Sequence, residues 1–288
     1  MSMSTVTRRQ ASPDLGVERV PWDELGPEFI RAWGRPNGRH EPEHLTVYGK
    51  SGGGKSYFVG YVLQQRAAAR GSHVVIVATK KADRTLSALG WPIVDTWPPG
   101  YGENQVIYWA RAKGISAEHR LPQRAKVKRL MDQLWVKESN VIIYWDELTY
   151  VERMLRLGPE LETYYREGRA NGITNVASMQ RPSNVTRLSH SEAGWTVAFP
   201  PKDADDRKRV AEVLGDRARF NAILDSLDRT KHEFLMRHDL TGEAYISHLP
   251  KPRGRAGRRG TRREVSAPVG YGVVSRQNGD LVPSKGAS

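Results

Sequence analysis

The sequence predicts an α/β domain, a mostly parallel sheet sandwiched between helices. Three observations predict it. Strand-sized apolar runs alternate with helix-like stretches over residues 41–200, a glycine-rich turn joins the first such strand to the first such helix, and the apolar run Val141–Trp145 ends on two carboxylates. Parallel strands covered on both faces read as continuous apolar runs, because neither side of the strand meets water.

Residues 1–20 read as a loose polar lead-in. The next stretch, 21–39, carries Trp22, Phe29, Ile30 and Trp33 among Pro and Gly, so residues 1–40 are expected to form a lead-in segment that packs on the core. The domain proper is placed at 41–250. Within it, strands are expected at 45–48, 73–78, 105–109, 141–145, 173–178 and 195–199. Helices are expected at 55–70, 82–89, 118–138, within 147–169, and at 203–214 and 217–227. Two runs, 232–237 and 243–247, flank Asp239-Leu240-Thr241-Gly242 and read as a small C-terminal edge hairpin. Residues 251–288 read as a flexible, disordered basic tail, since Lys251 to Arg263 is low-complexity and cannot bury a core.

Charge is uneven along the 288 residues. The formal net charge is +13, of which the tail holds +7, with nine Lys/Arg against Glu264 and Asp280. A basic balance favours a polyanionic partner. The chain has no cysteine, which excludes disulfides, thiolate metal sites and cysteine nucleophiles. Apolar runs stay far below the roughly 18 residues of a spanning helix, and no apolar leader opens the chain, so a cytoplasmic location without membrane insertion is expected.

Gly49-Lys50-Ser51-Gly52-Gly53-Gly54-Lys55-Ser56 fits the phosphate-binding loop pattern and follows the apolar run Leu45-Thr46-Val47-Tyr48. Glycines let successive backbone N–H groups turn toward phosphate oxygens, Lys55 reaches the β- and γ-phosphates, and the Ser56 hydroxyl can ligate Mg²⁺. The helix that follows, opening through Tyr57, directs its positive end at the same anion. Asp146 and Glu147, at the end of their strand, supply the second half of a hydrolytic site. Asp146 would hold Mg²⁺ directly or through water, and Glu147 would orient and deprotonate the attacking water. An ordinary acidic turn is the alternative for that pair taken alone.

Gly168-Arg169-Ala170-Asn171-Gly172-Ile173 comes next, then a strand ending in Met179-Gln180-Arg181-Pro182-Ser183. With the phosphate loop and the Asp-Glu strand before them, these residues resemble the HerA/FtsK superfamily of DNA-pumping P-loop ATPases, which includes genome-packaging ATPases of some viruses. The resemblance covers residues 41–200, and Gln-Arg-Pro-Ser is its most specific piece. It implies a RecA-like P-loop NTPase fold of the ASCE type, ATP and Mg²⁺ as cofactors, and double-stranded DNA as partner. It also implies a homo-oligomeric ring, a pentamer or hexamer, working with a capsid portal or a membrane anchor protein, in the host cytoplasm if the chain is viral. Gln180 would be the sensor at the γ-phosphate or the lytic water, and Arg169 a finger reaching a neighbour's site. The alternatives are a strand cap for Gln180 and an ion pair with Glu162 or Glu167 for Arg169, and Arg166 is a rival finger. Lys50 and Tyr57 depart from the family's loop, and no nuclease domain follows Pro200. Conjugative DNA transfer, and a P-loop ATPase for protein assembly or secretion, are the competing functions. Duplex DNA would meet either the tail or the basic helix carrying Arg120, Arg124, Lys126, Lys128 and Arg129.

Overall fold

The computed structural model describes residues 10–11, 15–34, 43–70, 73–79, 84–100, 103–111, 114, 116–180 and 188–250. The basic tail, the Lys80-Lys81 turn and Arg181-Pro182-Ser183 lie outside the described residues.

Eleven strands form one mixed sheet. Its parallel centre comprises β3 (His44–Tyr48), β4 (His73–Val77), β6 (Gln105–Tyr108), β7 (Val141–Trp145), β8 (Thr174–Met179) and β9 (Ala193–Ala198). The helices between them are α2 (Lys55–Arg70), α3 (Arg84–Ser87), α4 (Ala117–Leu134), α5 (Gly158–Arg166) and α6 (Leu188–Ser191). The order across this centre is β9, β3, β8, β7, β4, β6, every neighbouring pair parallel. Every residue of β3, β7 and β8 is buried, as two covered faces require.

Alternate side chains serve two cores. Val74, Ile76, Ile142 and Tyr144 pack under α2 and the N-terminal helix α1 (Trp22–Gly34), while Val75, Val77, Ile143 and Trp145 pack on the other face with Leu130, Met131 and Tyr164. That second face is completed by α7 (Ala204–Val213) and α8 (Arg217–Asp225). Trp22 fixes α1 through edge-on contacts with Phe58, Tyr61 and Phe234.

Three expectations need correcting. The hairpin of β10 (Phe234–His238) and β11 (Ala244–Ser247) is not the sheet's edge: β10 pairs antiparallel with β9, and β11 is covered by β2 (Glu18–Arg19), which pairs in turn with β1 (Gln10–Ala11). The polar lead-in therefore contributes strands, because an exposed hairpin edge can be satisfied by any extended backbone whatever its side chains. A short strand β5 (Ile93–Val94) forms the far edge beyond β6. Finally α4 ends at Leu134, capped by Trp135, ahead of Glu138 and Asn140 with φ of 57° and 47°, which no α-helix admits.

A buried polar cluster is built on the first residues of β3 and β8 and on the last residue of β7. His44 Nε2 donates to the Tyr165 carbonyl at 3.0 Å, and its Nδ1 accepts from the Asn175 backbone N–H at 3.0 Å. Asn175 also donates to the Tyr164 carbonyl at 2.9 Å and accepts from Trp145 Nε1 at 3.1 Å. These bonds satisfy carbonyls in the last turn of α5 that the helix leaves open. Burial lowers the His44 pKa from 6.5 to about 3, with Arg169 and Arg66 adding to it, and burial lowers His190 to about 4. Both are neutral in the fold and protonate in the unfolded chain below pH 6.5, so stability is full above 6.5 and falls as pH drops towards those values. Denaturant unfolding should show a loss of about 2 kcal/mol from His44 alone between pH 7 and pH 5, at roughly 1.4 kcal/mol per pKa unit. A flat profile over that range would contradict the assignment.

Candidate nucleotide site

The site forms where β3, β8 and β7 end together. The chain leaves β3 through Gly49, whose φ is +149° and whose N–H donates to the Met179 carbonyl at 3.2 Å. A side chain there would bring its Cβ to 2.7 Å from Phe199 Cβ. Gly54, at φ +107°, is pressed by the same ring, with a hypothetical Cβ at 3.0 Å from Phe199 Cε1. Phe199 thus moulds the loop from beneath, and glycine is the residue that fits both places.

Inside the loop the Gly53 N–H and the Lys55 ammonium converge on the Lys50 carbonyl, at 3.1 and 3.0 Å. Lys55 is only 8% exposed. Gly49, Lys50 and Gly53 accordingly shape the loop, whereas Ser51, Gly52, Gly54, Lys55, Ser56 and Tyr57 line a cleft of about 260 Å³. From the neighbouring strand tips the same cleft receives Asp146, Glu147 and Gln180. Residues as far apart in sequence as Ser51 and Gln180 are gathered around one volume at the N-terminus of α2, where the helix dipole favours an anion.

The donor set fits a hard cation. The Ser56 hydroxyl and the Asp146 carboxylate share the cleft, and all-oxygen ligands with an anionic ligand beside them suit Mg²⁺. Among the described residues there is no cluster of three or more His, Cys, Asp or Glu that would hold a metal elsewhere. Thr85, in α3, also lines the cleft and was missed by sequence reasoning. A hydroxyl residue soon after the second strand of the pattern was the signal.

Arg169 does not join this cleft. It sits in the single turn Gly168–Asn171 ahead of β8, and Gln180 follows β8. Six strand residues at about 3.3 Å each separate the two by about 20 Å, beyond the reach of one arginine. Its charge is felt instead by His44, at the opposite end of β3 from the loop. The rival, Arg166, is held by Glu162 at 3.0 Å on the exposed face of α5. The basic helix α4 spends much of its charge internally: Arg124 pairs with Glu160 at 3.3 Å, Lys126 with Asp95 at 2.8 Å and Lys128 with Asp132 at 2.9 Å.

No protein-family model and no curated protein matches the sequence. Solved structures do. The genome packaging NTPase B204 of Sulfolobus turreted icosahedral virus 2, in complex with AMPPCP, is 14% identical, covers 73% of this chain and 98% of its own, and superposes with a TM-score of 0.56. The DNA-packaging ATPase B204 of Sulfolobus turreted icosahedral virus is 17% identical over 72% of this chain and 97% of its own, at a TM-score of 0.52. The fold is that of the P-loop NTPases. The cytoplasmic domain of the type VII secretion ATPase EccC of Thermomonospora curvata shares it too, at 14% identity and a TM-score of 0.50, over 73% of this chain and 26% of its own. No helix among the described residues of this P-loop domain is long and apolar enough to cross a membrane.

The geometry of the cleft makes Glu147 the testable base. Glu147→Gln should bind nucleotide within about twofold of wild type and hydrolyse it at least a hundredfold more slowly, within the range of a general base. Equal turnover in the two proteins would remove Glu147 from that role.

Proposed function

We propose that this chain is an ATP-hydrolysing motor that moves double-stranded DNA, working as a viral genome-packaging ATPase. The observation that carries the reading is the gathering of Lys55, Ser56, Asp146, Glu147 and Gln180 around one cleft. In this reading the triphosphate lies along the loop, with Lys55 and the first turn of α2 on its oxygens. Ser56 and Asp146 would hold Mg²⁺, which would supply positive charge to offset that of the phosphates. Glu147 takes a proton from water as the water oxygen bonds to the γ-phosphorus and the bond to the β-phosphate oxygen breaks. Gln180 orients that water. ADP and phosphate leave.

The placement of Arg169 supports a ring. A cation some 20 Å from its own cleft, at the opposite end of the same strand, would serve a neighbour's cleft in such a ring, adding positive charge where the transition state is most negative. The neighbours solved as packaging ATPases favour DNA as the load, and so does the net charge of +13. The likeness to a secretion ATPase favours a second reading, a motor for protein assembly or secretion with the same chemistry.

Two experiments test this. Hydrolysis measured with and without duplex DNA should rise several-fold on adding DNA at low salt and lose that gain steeply as salt is raised. No acceleration at any salt would sink the DNA reading and leave the secretion one. In mixtures with wild type, Arg169→Ala subunits should lower activity more than in proportion to their fraction, because each would also disable its neighbour. A strictly proportional loss would argue against a finger acting in trans.

A further inference from the structure

Tyr144 stands two residues before Asp146 on β7, and the period-two pleat turns both toward the same face. Its side chain is fully buried in the apolar core under α2, where a phenylalanine would fill the same volume. Yet it carries a hydroxyl. A buried hydroxyl costs about 1–3 kcal/mol unless it is bonded, and this one lies within reach of two oxygens. Tyr144 Oη lies 2.9 Å from Ser178 Oγ and 3.4 Å from Asp146 Oδ1. Ser178 is itself 1% exposed and stands two residues before Gln180 on β8.

We infer that Tyr144 is a positioning residue: its hydroxyl orients the Asp146 carboxylate and ties it to Ser178, on the strand that carries Gln180. This rests on the reading of Asp146 as the residue that holds Mg²⁺. An ionised carboxylate only accepts, while each hydroxyl has one hydrogen to give. The polarity that uses both hydrogens and ends on the anion is Ser178 O–H to Tyr144, then Tyr144 O–H to Asp146. A bond to a charged acceptor is the stronger kind, and at 3.4 Å this long contact biases the carboxylate toward the Tyr144 hydroxyl. Partners of this sort behind a metal-holding side chain set its direction and its affinity for the metal.

The chain of hydroxyls also crosses between strands. Tyr144 pairs with Val176 in the β7–β8 ladder and Ser178 pairs with Val47 in the β8–β3 ladder. Asp146 is thereby referenced to the two strands whose tips carry Gln180 and the phosphate loop.

Equilibrium binding of a fluorescent, non-hydrolysable ATP analogue, titrated with and without Mg²⁺, tests this without relying on turnover. Tyr144→Phe keeps the ring and removes only the hydroxyl. It should leave Mg²⁺-free affinity unchanged and raise the Mg²⁺ concentration at half-effect about tenfold, in the range of lost partners behind a metal ligand. Ser178→Ala should shift it in the same direction by less, and Asp146→Asn should abolish the Mg²⁺ effect. If Tyr144→Phe keeps the wild-type Mg²⁺ midpoint while Asp146→Asn loses it, the hydroxyl is packing only and the inference fails with the metal role intact. An equal loss of affinity with and without Mg²⁺ in Tyr144→Phe would also overturn it. An unchanged midpoint in Asp146→Asn would overturn the metal role of Asp146 and the inference together.

Discussion

The insertion of β8 between β3 and β7 is the constraint on which the site depends. Neighbouring strands lie about 4.8 Å apart, so the strand that delivers the phosphate loop and the strand that delivers Asp146 and Glu147 are held about 9.6 Å from each other. That gap accommodates a phosphate chain with its cation, and the tip of β8 places Gln180 in the middle of it. Had β7 paired with β3 directly, the carboxylates would crowd the loop and Gln180 would fall outside. The ladder also explains the composition of the three strands. Flanked by strands on both sides and helices on both faces, they can hold polar side chains only where each finds a partner.

Several of those partners lie toward the opposite end of β3 and β8, and Trp145 reaches them from the position just before Asp146. His44, Asn175 and Trp145 tie β3, β8 and β7 to each other and to the last turn of α5. Arg66, fully buried over the Trp33 ring at 4.1 Å, adds a bond to Thr174 at 3.1 Å. Such networks specify one register, because a slip of β8 by a single residue would turn Asn175 to the wrong face. The same slip would withdraw Gln180 from the cleft. Polar groups remote from the chemistry therefore hold its geometry.

Much of this was legible in the sequence, and the parts that were share a cause. The loop, Asp146, Glu147 and Gln180 each sit at a strand end marked by local pattern, glycine spacing or a charge after an apolar run. Strand order is not local, so nothing in the sequence placed β8 between its neighbours or laid β2 against β11. Thr85 lay in a short helix with no periodicity to mark it, and β5 is two residues long. The Tyr144 hydroxyl was invisible because Val141–Trp145 reads as apolar throughout, and only the contact with Ser178 separates a polar role from a packing one. Arg169 was read as a finger reaching a neighbour's site, and its distance from its own cleft follows from the length of β8 and not from any motif.

The cleft and Arg169 lie at opposite ends of the central strands, and this has a consequence for symmetry. Any contact that set Arg169 of one copy against the cleft of another would have to match opposite strand ends. A twofold pair laid antiparallel would do so reciprocally, with both clefts served by one isologous contact. Copies repeating one directional contact would each serve a single neighbour, and would have to close on themselves to leave no terminal cleft unserved.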